Sequence, residues 1–229
     1  MSLTVVAAPL GGWVEDDPQG AQWLRDDLAS MNRLLAKHGL PAHVEPEDVP
    51  CFDLDLGGSV TLQALRRCAA HLAASGRLPG PGGRDAAEDP VLQAYYARTA
   101  PAGAGLFGRL LGRKAAPLEG FDHVILHSDC EGWYLPVDFP QVLEADVDEV
   151  VGGDVGSVRR LVTELELLAQ ALGLPDDLTP DAPLLLEAFE GRGGRAPWQR
   201  YGAEAFACCR LRHVAEHAQQ TGTSLVFMS

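Results

Sequence analysis

The chain has 229 residues, with 18 Lys and Arg against 32 Asp and Glu, a formal charge of -14. Together with an isoelectric point near 4.8, this argues against a nucleic-acid binder, which needs clustered cations to neutralise phosphates, and favours a protein partner with a basic surface. A hydrophobic content of 46% excludes wholesale disorder; no run reaches the roughly 18 apolar residues of a membrane span, and the opening MSLTVVAAPLGG lacks the basic flank of a secretory leader, so the expected location is the cytoplasm.

In chain order, Leu3 to Ala8 is a short β-branched apolar run closed by Pro9 and the Gly11-Gly12 pair, and reads as a strand inside a sheet. Asp17 followed by Pro18 is a helix start, and Leu24, Leu28, Met31 and Leu35 keep helical spacing up to Gly39. A second helix is expected from Ser59 to Gly76, with Leu62, Leu65, Ala69 and Leu72 on its stripe, Cys68 bordering it, and Arg66 and Arg67 away from it. Residues 77 to 118 read as a long excursion: PGPGG at 79 to 83 and a Gly/Ala-rich stretch from Pro101 to Pro117 break regular structure, with a short helix expected from Pro90 to Arg98. Within that stretch, GLFGRLLGRK carries cations and no acid, and a loop is the expected form.

The second half is more regular. FDHVILHS (121 to 128) reads as a strand and EGWYLPVDF (131 to 139) as a second extended segment. Ser157 to Leu172 reads as a helix, with Val158, Leu161, Leu165, Leu168 and Leu172 on one face, ended by Gly173 and Pro175. Thr179-Pro180 is expected to open a helix through Leu184 to Phe189, Trp198 to Gln220 a long last helix, and Ser224 to Met228 a final strand that can neighbour the first.

The densest group of reactive side chains is His127, Ser128, Asp129, Cys130 and Glu131, followed by Gly132, Trp133 and Tyr134. An imidazole, a thiol and two carboxylates in five residues can ligate a metal or share acid and base duties; equally, Asp129 can cap its own turn, Cys130 can be buried and His127 can be a hydrogen-bonded core residue. His213, Glu216 and His217 spell H-x-x-E-H, the helical pattern of some zinc enzymes. Both His residues lie off the Ala207, Leu211, Val214 and Ala218 stripe, however, which reads as a solvated pair. The cysteines Cys51, Cys68, Cys130, Cys208 and Cys209 show no Cys-x-x-Cys spacing, so neither a disulfide framework nor a zinc knuckle is expected. No phosphate-binding glycine motif and no G-x-S-x-G elbow occurs.

The stretch FDHVILHSDCEGWYLPVDF, followed by VVGGDVGSVRRLVTELELLAQALGLP, resembles a group of uncharacterised bacterial proteins that pair an HSDCEG-type loop with a G-S-x-x-x-L-x-x-E-L helix. The likeness covers about a quarter of the chain and brings no activity with it. In size and acidity such proteins are similar in style to immunity proteins.

The expected fold is a mixed, α-rich α/β fold in a single domain over 1 to 229. Strands near 3 to 8, 121 to 127, 132 to 137 and 224 to 228 form one small mixed sheet, covered by four or five helices that include those starting near 18, 59, 157 and 199. Its expected core contains Val5, Leu24, Leu28, Val124, Leu126, Leu161, Leu165, Leu168, Leu211, Val214, Leu225 and Phe227. Two functions fit. The first is a non-catalytic acidic binding protein without a cofactor, immunity-like, with Trp133 and Tyr134 as an aromatic anchor and the 127 to 131 loop beside them. The second is a small hydrolase dependent on a divalent metal ion held by His127 and Asp129, joined by His213 and His217.

Overall fold

The computed structural model describes residues 2–12, 17–82, 85–99, 120–128, 132–146, 148, 150 and 152–228. It is a mixed α/β fold in which a sheet of order β2-β1-β6-β3-β5-β4 lies between helices. The strands are β1 (Thr4–Ala7), β2 (Phe52–Asp55), β3 (Gly132–Leu135), β4 (Leu143–Glu144), β5 (Asp154–Ser157) and β6 (Leu225–Met228). The β3 and β5 strands run parallel and every other neighbouring pair is antiparallel. The first and last strands pair as expected, with Val5 opposite Phe227.

Side-chain alternation divides the core in two. Val6, Trp133, Leu135, Val155 and Val226 face a cluster completed by Leu24, Leu28, Met31 and Leu35 of helix α1 (Pro18–Lys37). Val5, Ala7, Tyr134, Leu225 and Phe227 face the opposite cluster. That second cluster is built from α2 (Ser59–Ser75), α5 (Val158–Leu172) and α7 (Gly202–Thr221), with contributions from α3 (Pro90–Thr99) and α6 (Pro183–Phe189). The period of two along each strand assigns neighbouring residues to opposite clusters.

The helix termini follow local chemistry. Asp17 caps α1 by accepting from the amides of Gln19 and Gly20 with Pro18 at the first helical position. Ser157 accepts from Arg160 N at the start of α5, and Gly76, Gly173 and Gly222 end their helices in the left-handed conformation. Of the expected core residues, all but Leu126 are buried, and Leu126 packs partly buried against the larger cluster.

Several expectations are corrected. The stretch 121 to 127 is not a strand; it contains a single helical turn, α4 (Asp122–Ile125). A helix this short has no stability of its own, and its termini are completed by side chains from two other helices. The buried carboxyl group of Glu164 on α5 accepts from the amides of His123 at 3.1 Å and Val124 at 2.7 Å. Arg66 of α2 donates to the carbonyls of Val124 at 2.9 Å, Ser128 at 3.2 Å and His127. Arg66 is therefore buried and not turned away from the α2 stripe as its position suggests.

The α6 helix starts at Pro183 rather than at Thr179-Pro180, because Ala182 N closes a turn onto Thr179 O and Pro183 takes the first helical position. The last helix is preceded by a 3-10 turn over Pro197–Tyr201. Strands β2, β4 and β5 were not anticipated: they are short and rich in Asp, Glu or Gly, which have low intrinsic strand preference. The GLFGRLLGRK segment lies outside the described residues.

Candidate functional site

His127 is placed by the turn after α4. Its ring stacks on Tyr134 with centroids 3.8 Å apart, and the edge of Phe227 approaches it at 5.8 Å. Two glycines make room for the stack. A Cβ at Gly132 would lie 2.3 Å from His127 Cε1, and one at Gly156 2.3 Å from Tyr134 Cδ1. Nε2 of His127 faces Trp133 O at 2.9 Å and Nδ1 faces Ser128 O at 3.1 Å. Burial above all, aided by the Arg66 charge, holds its pKa down to about 4 against the pull of those two carbonyls. Both nitrogens are directed at backbone carbonyls, and the uncharged ring, with its single N–H, donates to one of them.

Trp133 and Tyr134 are 2% and 1% exposed, on opposite faces of the sheet. Their expected role as a surface anchor is corrected: strand alternation inside a sheet covered on both faces buries both. Tyr134 also donates its hydroxyl to His123 O at 2.7 Å. Asp129, Cys130 and Glu131 lie outside the described residues. Beside the loop is a cleft of about 340 Å³ lined by Gln63, Arg66, Tyr96, His127, Ser128 and Asp154, among others.

The H-x-x-E-H pattern resolves into separate contacts. His213 Nδ1 faces Cys209 O, one turn back, at 2.9 Å, and the His217 ring packs on Phe52 with centroids 5.0 Å apart. Both are half-buried, not solvated as their offset from the stripe suggests, because α7 is flanked by α2, α5, α6 and β2. Glu216 pairs with Arg212. Among the described residues no group of three His, Cys, Asp or Glu side chains is placed to hold a metal ion. The described cysteines Cys51, Cys68, Cys208 and Cys209 are free. Burial raises the thiol pKa values, to about 12 for Cys68 and about 11 for Cys209, so neither is a ready nucleophile.

The surface has a different character. Carboxylates occupy both edges of the sheet. On β2, Asp53 and Asp55 are exposed while Phe52 and Leu54 point inward. On the opposite edge Glu144 stands directly across from Asp154, followed by exposed Asp146 and Asp148. Asp154 has its pKa raised to about 6, by burial first and then by the charge of Glu144. Like charges opposite one another weaken strand pairing, so this edge is not arranged for stability. Asp26, Asp48, Asp53, Glu144, Asp146 and Asp148 show no ion pair among the described residues.

On α1, Trp23 is 66% exposed next to Asp26. Sequence reading missed this residue although its signal was present: it stands one position before Leu24 and so falls off the Leu24, Leu28, Met31 and Leu35 stripe. Arg66 and Glu164 were also missed, and no local pattern points to them. The exposed carboxylates along both sheet edges produce a negative potential there. No helix among the described residues is long and apolar enough to cross a membrane.

A family model described as "Putative DNA-mimic protein" matches residues 1–227. No curated protein matches, and no solved structure matches.

Proposed function

The chain belongs to this DNA-mimic family, and from that premise we propose that it is a non-catalytic acidic decoy that occupies the DNA-contacting surface of a DNA-binding protein. The match over residues 1–227 carries the reading. It is supported by the charge of -14 and by the exposed carboxylates on both sheet edges. A DNA-binding surface is built to neutralise phosphates with Lys and Arg, and a folded protein whose surface carries fixed carboxylates offers those same cations a competing partner.

The partner's basic surface is part of this proposal, and the immunity-like character fits it where the partner is a toxic nuclease. The metal-dependent alternative gains no geometric support: His127 faces carbonyls, while His213 and His217 make their contacts on α7 and β2.

The test is displacement. A fluorescent duplex is bound in turn to each of a panel of purified DNA-binding proteins, and the chain is titrated in while anisotropy is followed. The expected result is release of the duplex from at least one member, weakening steeply with added salt, and no change with duplex alone. Retention of the duplex by every member, at concentrations where an unlabelled duplex competes, would overturn the reading.

A further inference from the structure

The acidic decoy reading leaves open which face the partner grips. Trp23 is 66% exposed, while the other tryptophans whose burial the structure gives, Trp133 and Trp198, are 2% and 4% exposed. A large aromatic left in water on an otherwise well-packed helix marks an interaction surface, since Trp is strongly enriched among the residues that dominate binding energy.

Its surroundings decide the kind of partner. Asp26 and Asp27 follow at i+3 and i+4, so they are helical neighbours of Trp23. Asp26 is held in place by Gln22 Nε2 at 2.9 Å. The nearby cation Arg25 is already neutralised by a bidentate pair with Glu47 at 2.8 and 3.0 Å. That pair has a second effect. With Asn32 bonded to both the N–H and the carbonyl of His43, at 2.7 and 2.8 Å, it lays residues 43–48 along α1. The strap so formed runs along the flank of α1 away from Trp23, since Arg25 and Asn32 stand about 180–200° round the helix from it, and it leaves the Trp23 face uncovered. The remaining described cations of α1, Arg33 and Lys37, lie ten and fourteen positions beyond Trp23, about 15 Å or more along the helix axis.

We propose that this face, with Trp23 at its centre and Asp26 and Asp27 beside it, is the docking surface for the arginine-bearing DNA-contacting face of the partner. The inference rests on the decoy reading. An arginine guanidinium seats over the indole face as a cation–π contact, and an adjacent carboxylate accepts its N–H groups as a phosphate oxygen would. The exposed aromatic supplies the anchor and the carboxylates supply the selection for a DNA-binding surface.

The experiment compares wild type, Trp23→Ala, Trp23→Phe, Asp26→Asn and a control, Leu184→Ala, at an exposed apolar position on α6. Two readouts are used: binding of a synthetic twelve-residue arginine-rich peptide, and displacement of the duplex from whichever DNA-binding protein the wild type releases. The expected result is a loss of about 30-fold for Trp23→Ala in both, a smaller loss for Trp23→Phe and for Asp26→Asn, no change for Leu184→Ala, and wild-type melting curves throughout. Wild-type displacement by Trp23→Ala, or an equal loss for Leu184→Ala, would overturn the docking surface and leave the decoy reading standing. Failure of the wild type itself to displace any duplex defeats the decoy reading, and the docking surface falls with it.

Discussion

Trp133 and Trp23 are the same residue type put to opposite uses. Trp133 sits in β3, packed against α1 from within the sheet, while Trp23 sits on the outer face of that same α1 and packs against little. Behind Trp133, on the other face of the sheet, Arg66, Glu164, His127 and Tyr134 are spent on internal work, bonding backbone carbonyls and amides. Beside Trp23, Asp26 is exposed and has no cationic partner among the described residues. One region is closed on itself and specifies the fold; the other is open and offers charge and aromatic surface to something outside. The contrast shows how one reactive side chain of the crowded stretch, His127, is taken up by backbone groups inside the fold.

This contrast can be broken most directly by truncation. Trp133→Ala is expected to cost about 3–5 kcal/mol through the cavity it leaves, while Trp23→Ala changes stability by no more than about 0.5 kcal/mol; urea unfolding of the two variants measures both. Similar losses in both would abolish the distinction. Arg66→Met keeps the aliphatic volume but strips the donor from three carbonyls, two of them buried, and is expected to cost about 3 kcal/mol. Hydrogen exchange at the amides of residues 123 to 128 should accelerate in that variant while α1 stays protected; unchanged exchange would show that α4 holds without the arginine.

Acidity sharpens the comparison next, since the titrating groups with the largest shifts sit in the closed region. His127 and His123 are lowered to about 4 from 6.5, mainly by burial. The folded chain therefore binds fewer protons than the unfolded one between those values, and their contribution, full above pH 6.5, is lost as pH falls through 4. Glu164 is raised to about 8 from 4.5 by burial, against its two amide bonds. Its contribution has the opposite sign: full below pH 4.5 and lost as pH rises through 8. Between pH 6.5 and 4.5 the histidines and Glu164 oppose each other. Glu164→Gln should therefore lose stability more steeply on acidification than wild type, by up to about 1.4 kcal/mol per pH unit. Parallel curves of Tm against pH would mean that Glu164 does not titrate there.

The smallest expected effect is on the surface. Asp138→Ala removes the exposed bidentate pair with Arg160, at 2.7 and 3.2 Å, and should cost under about 1 kcal/mol, less still in high salt. A larger loss would show that this pair helps hold the turn before α5.

The sequence by itself determined the acidic charge, the helices α1, α2 and α5 with their termini, and the pairing of the first and last strands as a possibility. These follow from capping residues, terminal glycines and apolar periods of 3.6 or 2, all local in the chain. Only the tertiary structure decided that 121 to 128 turns instead of extending. The apolar run DHVIL suits a strand, but its amides and carbonyls are taken by Glu164 and Arg66, which lie about forty and sixty residues away. Tertiary structure likewise decided that His127, Trp133 and Tyr134 are buried, because β3 is an interior strand with β5 on one side and β6 on the other and helices over both faces. The open face of α1 was readable from its helical period; that residues 43–48 lie along its other flank was not, since that depends on Arg25 meeting Glu47 and Asn32 meeting His43 across a turn. Local spacing sets which face of an element is apolar, and long-range hydrogen bonding sets what that face and its opposite meet.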